Sequence, residues 1–205
     1  MKEKAKPFYN STIPSDWEVI QLGNIAKVTS GGTPSRERKS YWDGDIPWVT
    51  TSLINFNEIA SADEYITREG LQNSSTKLFP SGTLLMALYG QGVTRGKTAI
   101  LKIEAATNQA CAAILLDEKK AWKQYVFQYL IAKYEDIRKL SNTGNQENLN
   151  GELVKSIKLN LPPLPEQKSH SSCPGDDGQC HQPKQPTHCP KGAPQKMVDA
   201  KFAHW

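Results

Sequence analysis

No histidine occurs in this 205-residue chain before His170; the other three, His181, His188 and His204, follow it. A domain without imidazole has no general base of that kind and no imidazole metal ligand, which weighs against hydrolytic or nucleophilic chemistry. Cysteine is as scarce. Cys111 stands alone in the apolar run Ala110-Cys111-Ala112-Ala113-Ile114-Leu115-Leu116 and reads as a small core residue, while Cys173, Cys180 and Cys189 lie near the end with the histidines. No apolar run approaches the length that spans a bilayer, and Met1-Lys2-Glu3-Lys4-Ala5-Lys6 has no apolar centre like that of a signal peptide. The expectation is a cytoplasmic chain with no membrane partner. Acidic residues form no clustered metal motif, which argues against a nuclease. Strong charge is missing too: net +4, pI near 8.8 and mean hydropathy −0.57 permit a polyanion partner without requiring one.

What is present is a β-rich pattern. Alternating or apolar runs predict strands at Trp17–Gly23, Ile25–Ser30, Ile46–Thr51, Tyr65-Ile66, Thr83–Leu88, Lys97–Ile103, Ala112–Leu116 and Ser156–Leu161. Gly31-Gly32, Gly70, Pro80-Ser81-Gly82, Gly90, Gly92 and Gly96 punctuate them. Pro47 should keep its strand at an edge or near its start. From Lys119 to Leu140, Trp122, Val126, Tyr129, Leu130, Ile137 and Leu140 recur at helical spacing, with Gly144 as a stop, predicting one amphipathic helix packed on the sheet. The run Leu161-Pro162-Pro163-Leu164-Pro165-Glu166-Gln167 is a hard boundary. A strand must finish before Pro162, and any helix should begin after Pro165. The resulting class is α+β: a β-rich domain with irregular loops and at least one packed helix. A polar arm, 1–13, precedes the domain at 14–167, and a largely disordered tail follows at 168–205.

Two loops combine groups suited to nucleic acid. Thr33–Tyr41 carries Arg36, Arg38 and Lys39 with hydroxyls and the ring of Tyr41. Leu88–Thr98 carries Tyr89, Gln91, Arg95 and Lys97 among three glycines and no acid. Glycines let backbone approach a phosphate, and Arg and Lys neutralise it. Gln91 or Gln109 can bond an adenine edge, and Arg95 or Arg36 a guanine, each worth roughly 1–3 kcal/mol of discrimination. A third, amide-rich loop includes Asn145 and Gln146, where side chains serve turns as readily as bases. The residues alone leave two readings open for these loops, duplex contact or solvated surface. Gly96-Lys97-Thr98 is no P-loop, because the pattern needs glycine where Gln91 stands.

The succession Ile13-Pro14-Ser15-Asp16-Trp17, Ser30-Gly31-Gly32-Thr33-Pro34, Gly44-Asp45-Ile46-Pro47-Trp48, Gly82-Thr83-Leu84-Leu85, Thr107-Asn108-Gln109-Ala110 and Pro162-Pro163-Leu164-Pro165-Glu166-Gln167 resembles a target recognition domain. The family is the specificity subunit (HsdS) of type I restriction–modification systems. The resemblance implies a non-catalytic reader of double-stranded DNA that recognises one half of a split target. Its implied partners are methyltransferase (M) subunits, a restriction and motor (R) subunit and a second S copy. S-adenosylmethionine, ATP and magnesium would belong to those partners, with no cofactor on this chain. The alternative is a truncated remnant acting as an interaction module that does not bind DNA.

After Gln167 the resemblance stops. Where the family continues into a long docking helix, this chain has Lys168-Ser169-His170-Ser171-Ser172-Cys173-Pro174-Gly175, expected to break a helix at once. The tail is read as an out-of-frame or foreign extension. Its Cys and His spacing does not match the two-to-four-residue pairs of structural zinc sites, so no metal is expected.

Overall fold

In the computed structural model, residues 14–90, 93–142 and 148–171 are described. They carry eleven strands: β1 Glu18–Gln21, β2 Ala26–Ser30, β3 Trp42–Val49, β4 Asn57–Ile59, β5 Glu64–Ile66, β6 Leu78–Phe79, β7 Leu84–Ala87, β8 Thr98–Leu101, β9 Ala105–Thr107, β10 Cys111–Leu116 and β11 Lys158–Leu161. Five helices join them: α1 Arg68–Gln72, α2 Lys123–Ala132, α3 Tyr134–Lys139, α4 Gly151–Lys155 and α5 Leu164–Ser171.

The strands form a two-stranded pair β1-β11, a five-stranded sheet β2-β10-β7-β8-β4 and a four-stranded sheet β5-β3-β9-β6. The five-stranded sheet is buried on both faces, and the period of two along a strand sorts its residues. Leu84, Met86, Ile100, Ala112 and Ile114 point to one core with Leu22, Val126, Phe127, Leu130, Ile137, Val154 and Leu159. Leu85, Ala87, Ala99, Leu101, Cys111 and Ala113 point to a second core, with Val49, Ile54, Ile59, Phe79 and Ala105. Continuous apolar runs such as Cys-Ala-Ala-Ile-Leu-Leu are what a strand covered on both sides requires.

All eight sequence-predicted strands are present, with shifted ends. Pro47 is accommodated because β3 pairs with β9 only at Trp48 and Val49, so at Pro47 the strand has one neighbour, β5. Strands β4, β6 and β9 were not predicted; two or three residues each, they are too short to display a period.

Three expectations need correction. The single helix over Lys119–Leu140 is instead α2 and α3, with a break at Lys133 (φ −95°, ψ 9°). Residues 117–121 form a turn in which Asp117 accepts backbone N–H groups from Lys119, Lys120 and Ala121. The helix expected only after Pro165 begins at Leu164. Pro165 lies in its first turn, where a missing N–H costs nothing, and Pro163 O accepts from the N–H groups of Glu166 and Gln167 at 2.9 and 3.1 Å. That helix continues through Lys168 and Ser169 to Ser171 rather than breaking at once. Gln167 is only 1% exposed: its amide accepts from Trp122 N–H (2.7 Å) and donates to Pro162 O (2.8 Å), tying α5 to the start of α2. The proline run thus ends in a buried clamp. Gly144 and the ligand-like tail residues Cys173, Cys180, Cys189, His181 and His188 lie outside the described residues.

Candidate nucleic-acid interface

Strand register brings several loops to one end of the sheets. Ser30 pairs with Ala112, Cys111 with Ala87, Met86 with Thr98, and Asn57 with Ala99, so β2 and β7 finish where β10, β8 and β4 begin. Val49 pairs with Thr107, placing the exits of the parallel strands β3 and β9 at the same end. Segments 31–36, 50–56, 88–90, 93–97 and 108–110 therefore emerge together. Backbone bonds join them: Gly32 N–H to Thr107 O (2.8 Å), Asn108 N–H to Val49 O (3.1 Å) and Leu88 N–H to Ala110 O (2.8 Å). Leu149 N–H to Leu88 O (3.1 Å) adds the segment leading into α4, whose N-cap is Asn150.

Within this end lies a cation–aromatic group. Lys97 Nζ donates to Asn55 Oδ1 at 2.7 Å and stands 5.8 Å from the centre of the Phe56 ring. Phe56, at φ 57°, meets Tyr134 edge-on with centroids 5.0 Å apart. Tyr134 donates its hydroxyl to Val93 O, fixing the β7–β8 loop to α3. Burial pushes the Tyr134 phenol up, partly offset by the positive fields of Arg138 and Arg95. Arg138 lies 5.3 Å from the Tyr134 ring centre, and its Cγ would be 3.2 Å from a Cβ at Gly96, where φ is +85°. Lys97 is thus held over an aromatic floor two residues from Arg95, and Tyr89 and Val93 are exposed on the same loop at 43% and 61%.

The other predicted contacts are placed differently. Gln109 is exposed in the β9–β10 turn, but its Oε1 accepts from the Thr33 hydroxyl at 2.5 Å. Arg36 donates to both oxygens of Glu64 at 2.8 and 2.7 Å, and its guanidinium carbon stands 3.6 Å over the Trp42 ring. Those bonds hold the Glu64 carboxyl below its ordinary range and push Arg36 up. Arg38, Lys39 and Tyr41 sit at the start of β3, opposite the end at which Val49 meets the other loops. Tyr41 is 4% exposed, and its hydroxyl accepts from Arg38 Nη1 at 3.0 Å. The side chain is therefore covered, and Gly70 packs against its backbone so closely that a Cβ there would lie 2.6 Å from Tyr41 O. Of these residues, Gln109 and Lys97 lie at one end of the sheets and Arg38, Lys39 and Tyr41 at the other. Gln91, Asn145 and Gln146 lie outside the described residues.

Sequence reasoning missed Asn55, Phe56, Tyr134 and Arg138. Phe56 stands in a polar stretch, Ile54-Asn55-Phe56-Asn57, and an aromatic so flanked is the one signal that pointed there. Tyr134 and Arg138 were absorbed into the supposed continuous helix. Among the described residues no group of three His, Cys, Asp or Glu side chains is arranged to hold a metal, and no helix is long and apolar enough to cross a membrane.

Residues 14–173 match the family described as the type I restriction modification DNA specificity domain. The MjaIX specificity subunit of Methanocaldococcus jannaschii is 30% identical over 161 residues, which is 76% of this chain and 36% of that protein. The EcoR124I/EcoR124II specificity subunit of Escherichia coli is 26% identical over 178 residues, 82% of this chain and 43% of that one. Among solved structures, the HsdS subunit from Thermoanaerobacter tengcongensis superposes with a TM-score of 0.59 at 14% identity, covering 80% of this chain and 37% of that one. A chain from a structure of type I R-M complex assembly and conformational transition gives a TM-score of 0.63, also at 14% identity, with 80% and 39% covered. The chain spans about two fifths of the length of the relatives it matches.

Proposed function

The chain belongs to the type I restriction–modification DNA specificity family, and from that premise we propose that it reads one half of a split duplex target with the loops gathered where β7 ends and β10 begins. One observation carries the reading: strand register sends segments 31–36, 50–56, 88–90, 93–97 and 108–110 out at one end of the fold, with Arg95 and Lys97 among them. Cationic groups there supply the phosphate attraction that dominates affinity, and polar side chains beside them supply discrimination between base edges.

The chain itself performs no chemistry in this account. It directs methyltransferase and restriction subunits, which bring S-adenosylmethionine, ATP and magnesium, to the site it has read. A second copy of the specificity subunit would read the other half-target. Its setting would be the cytoplasm, beside the genome. The rival reading, an interaction module that does not bind DNA, has no particular residue arrangement in its favour.

Selection from a random duplex pool tests the proposal. The full chain should enrich a short motif, and binding should weaken steeply with salt. A pool that emerges unenriched, with no retention above that of an uncharged control protein, would refute it.

A further inference from the structure

Resting on the DNA reading above, we propose that Gln109 and Arg36 are positioning residues: they lock Gly31–Arg36 as a strap across the end of the sheets, and neither touches the duplex. The strap is fastened along its length. A Cβ at Gly31 would fall 1.9 Å from Thr107 O, so the backbones are in direct contact there. Gly32 donates its N–H to Thr107 O at 2.8 Å and accepts from Trp48 Nε1 at 3.0 Å. The Thr33 hydroxyl then bonds Gln109 at 2.5 Å, Trp42 Nε1 bonds Ser35 O at 3.1 Å, and Arg36 closes the segment on Glu64.

Each fastening uses the groups that recognition would need. Bidentate adenine recognition by glutamine needs both ends of the amide turned to the base edge, and here the Thr33 hydroxyl holds the acceptor end against the strap. Arg36 has two N–H groups in a charge-assisted fork on Glu64, and a phosphate in that position would face the same carboxylate. What the strap does is hold the β9–β10 turn in register. Ala110 of that turn accepts from Leu88 N–H, at the root of the loop that carries Arg95 and Lys97. The strap therefore aims the cationic loop, and contact with DNA falls to that loop.

The test uses the full chain and the duplex it enriches from a random pool, with affinity measured by fluorescence anisotropy across a salt series. Gln109→Ala should weaken binding to the enriched duplex and to each single-base-pair variant of it by one common factor. Arg36→Met/Glu64→Gln, which conserves net charge, should lower affinity with an unchanged salt slope, whereas Lys97→Ala should reduce that slope by about 0.9. Without DNA, amide exchange at Gly32 should quicken about tenfold in Gln109→Ala, or in Thr33→Val where the first variant does not fold. Relaxed preference at a single base pair in Gln109→Ala, a reduced slope in the charge-conserving pair, or unchanged Gly32 exchange would each overturn the proposal. If the unmodified chain enriches no duplex, the DNA reading itself fails and takes these two roles with it, leaving the exchange result to judge the strap alone.

Discussion

Gly31→Ala places one methyl group where the fold has least room. The new Cβ would lie 1.9 Å from Thr107 O, 2.3 Å from Thr107 Oγ1 and 2.5 Å from Thr107 C. Two of these are backbone atoms in a buried strand, so no rotamer change relieves them, and the strap or β9 must move. Movement would break the Gly32–Thr107 bond and strain the Thr33–Gln109 bond beside it. Overpacking costs about 1–3 kcal/mol, and each disrupted bond about 1 kcal/mol, more where a buried group is left bare. The sum is about 3–5 kcal/mol, a large part of the stability of about 5–15 kcal/mol that a domain possesses. For a domain of this size it corresponds to a fall in Tm of about 6–20 °C. Gly151→Ala is the matched control: a Cβ there meets nothing within 4 Å, and the residue opens α4, so the substitution should be neutral or stabilise by about 0.4–1 kcal/mol. Thermal melts by circular dichroism would measure both. Melting of Gly31→Ala within about 2 °C of the parent would refute the close-contact reasoning, whatever the control did.

Gln167→Ala should lower stability by about 2–4 kcal/mol in denaturant titrations, because it leaves Trp122 N–H and Pro162 O without their buried partner; a change under about 0.5 kcal/mol would show that α5 is not clamped. Cys111 is fully buried, and burial pushes its thiol up to about 12, so peptide mapping after maleimide treatment at neutral pH should find it unlabelled until the protein unfolds. Labelling in the folded protein would contradict the two-sided burial of β10. Glu64 titrates below its ordinary value because Arg36 bonds it, so its contribution to stability is complete above the unfolded carboxylate range near about 4.3 and is lost as pH falls through the folded value. The pair is half exposed and the effect small; Arg36→Met should flatten the acid limb of the stability curve slightly, and a steeper limb would reverse the assigned sign.

Much of this architecture could be read from residue patterns, and the failures have physical causes. Strands β7, β8 and β10 announce themselves because continuous apolar runs suit a sheet buried on both faces, and β2 because Gly31-Gly32 closes it. The β7–β8 loop was legible as a cationic, glycine-rich connection. Lys133 hid the break between α2 and α3: nothing in its chemistry stops a helix, and the turn there follows from packing Ile137 into the core. Tyr41 looked like a surface aromatic among charges, since only the distant Gly70 reveals that it is covered. Arg36 looked available for the same reason. Its acidic partner is 28 residues away, across β3 and β5, and sequence proximity carries no trace of it. Composition located the charged loops, and long-range pairing decided how their groups are held.

Hydrogen exchange along the full chain, with and without the duplex it enriches, tests the account most directly. Protection on binding should concentrate in 88–97, with little change over β1, β11 and the exposed side of α2. Protection confined to β1 and α2, with segment 88–97 exchanging at the same rate in both states, would contradict it.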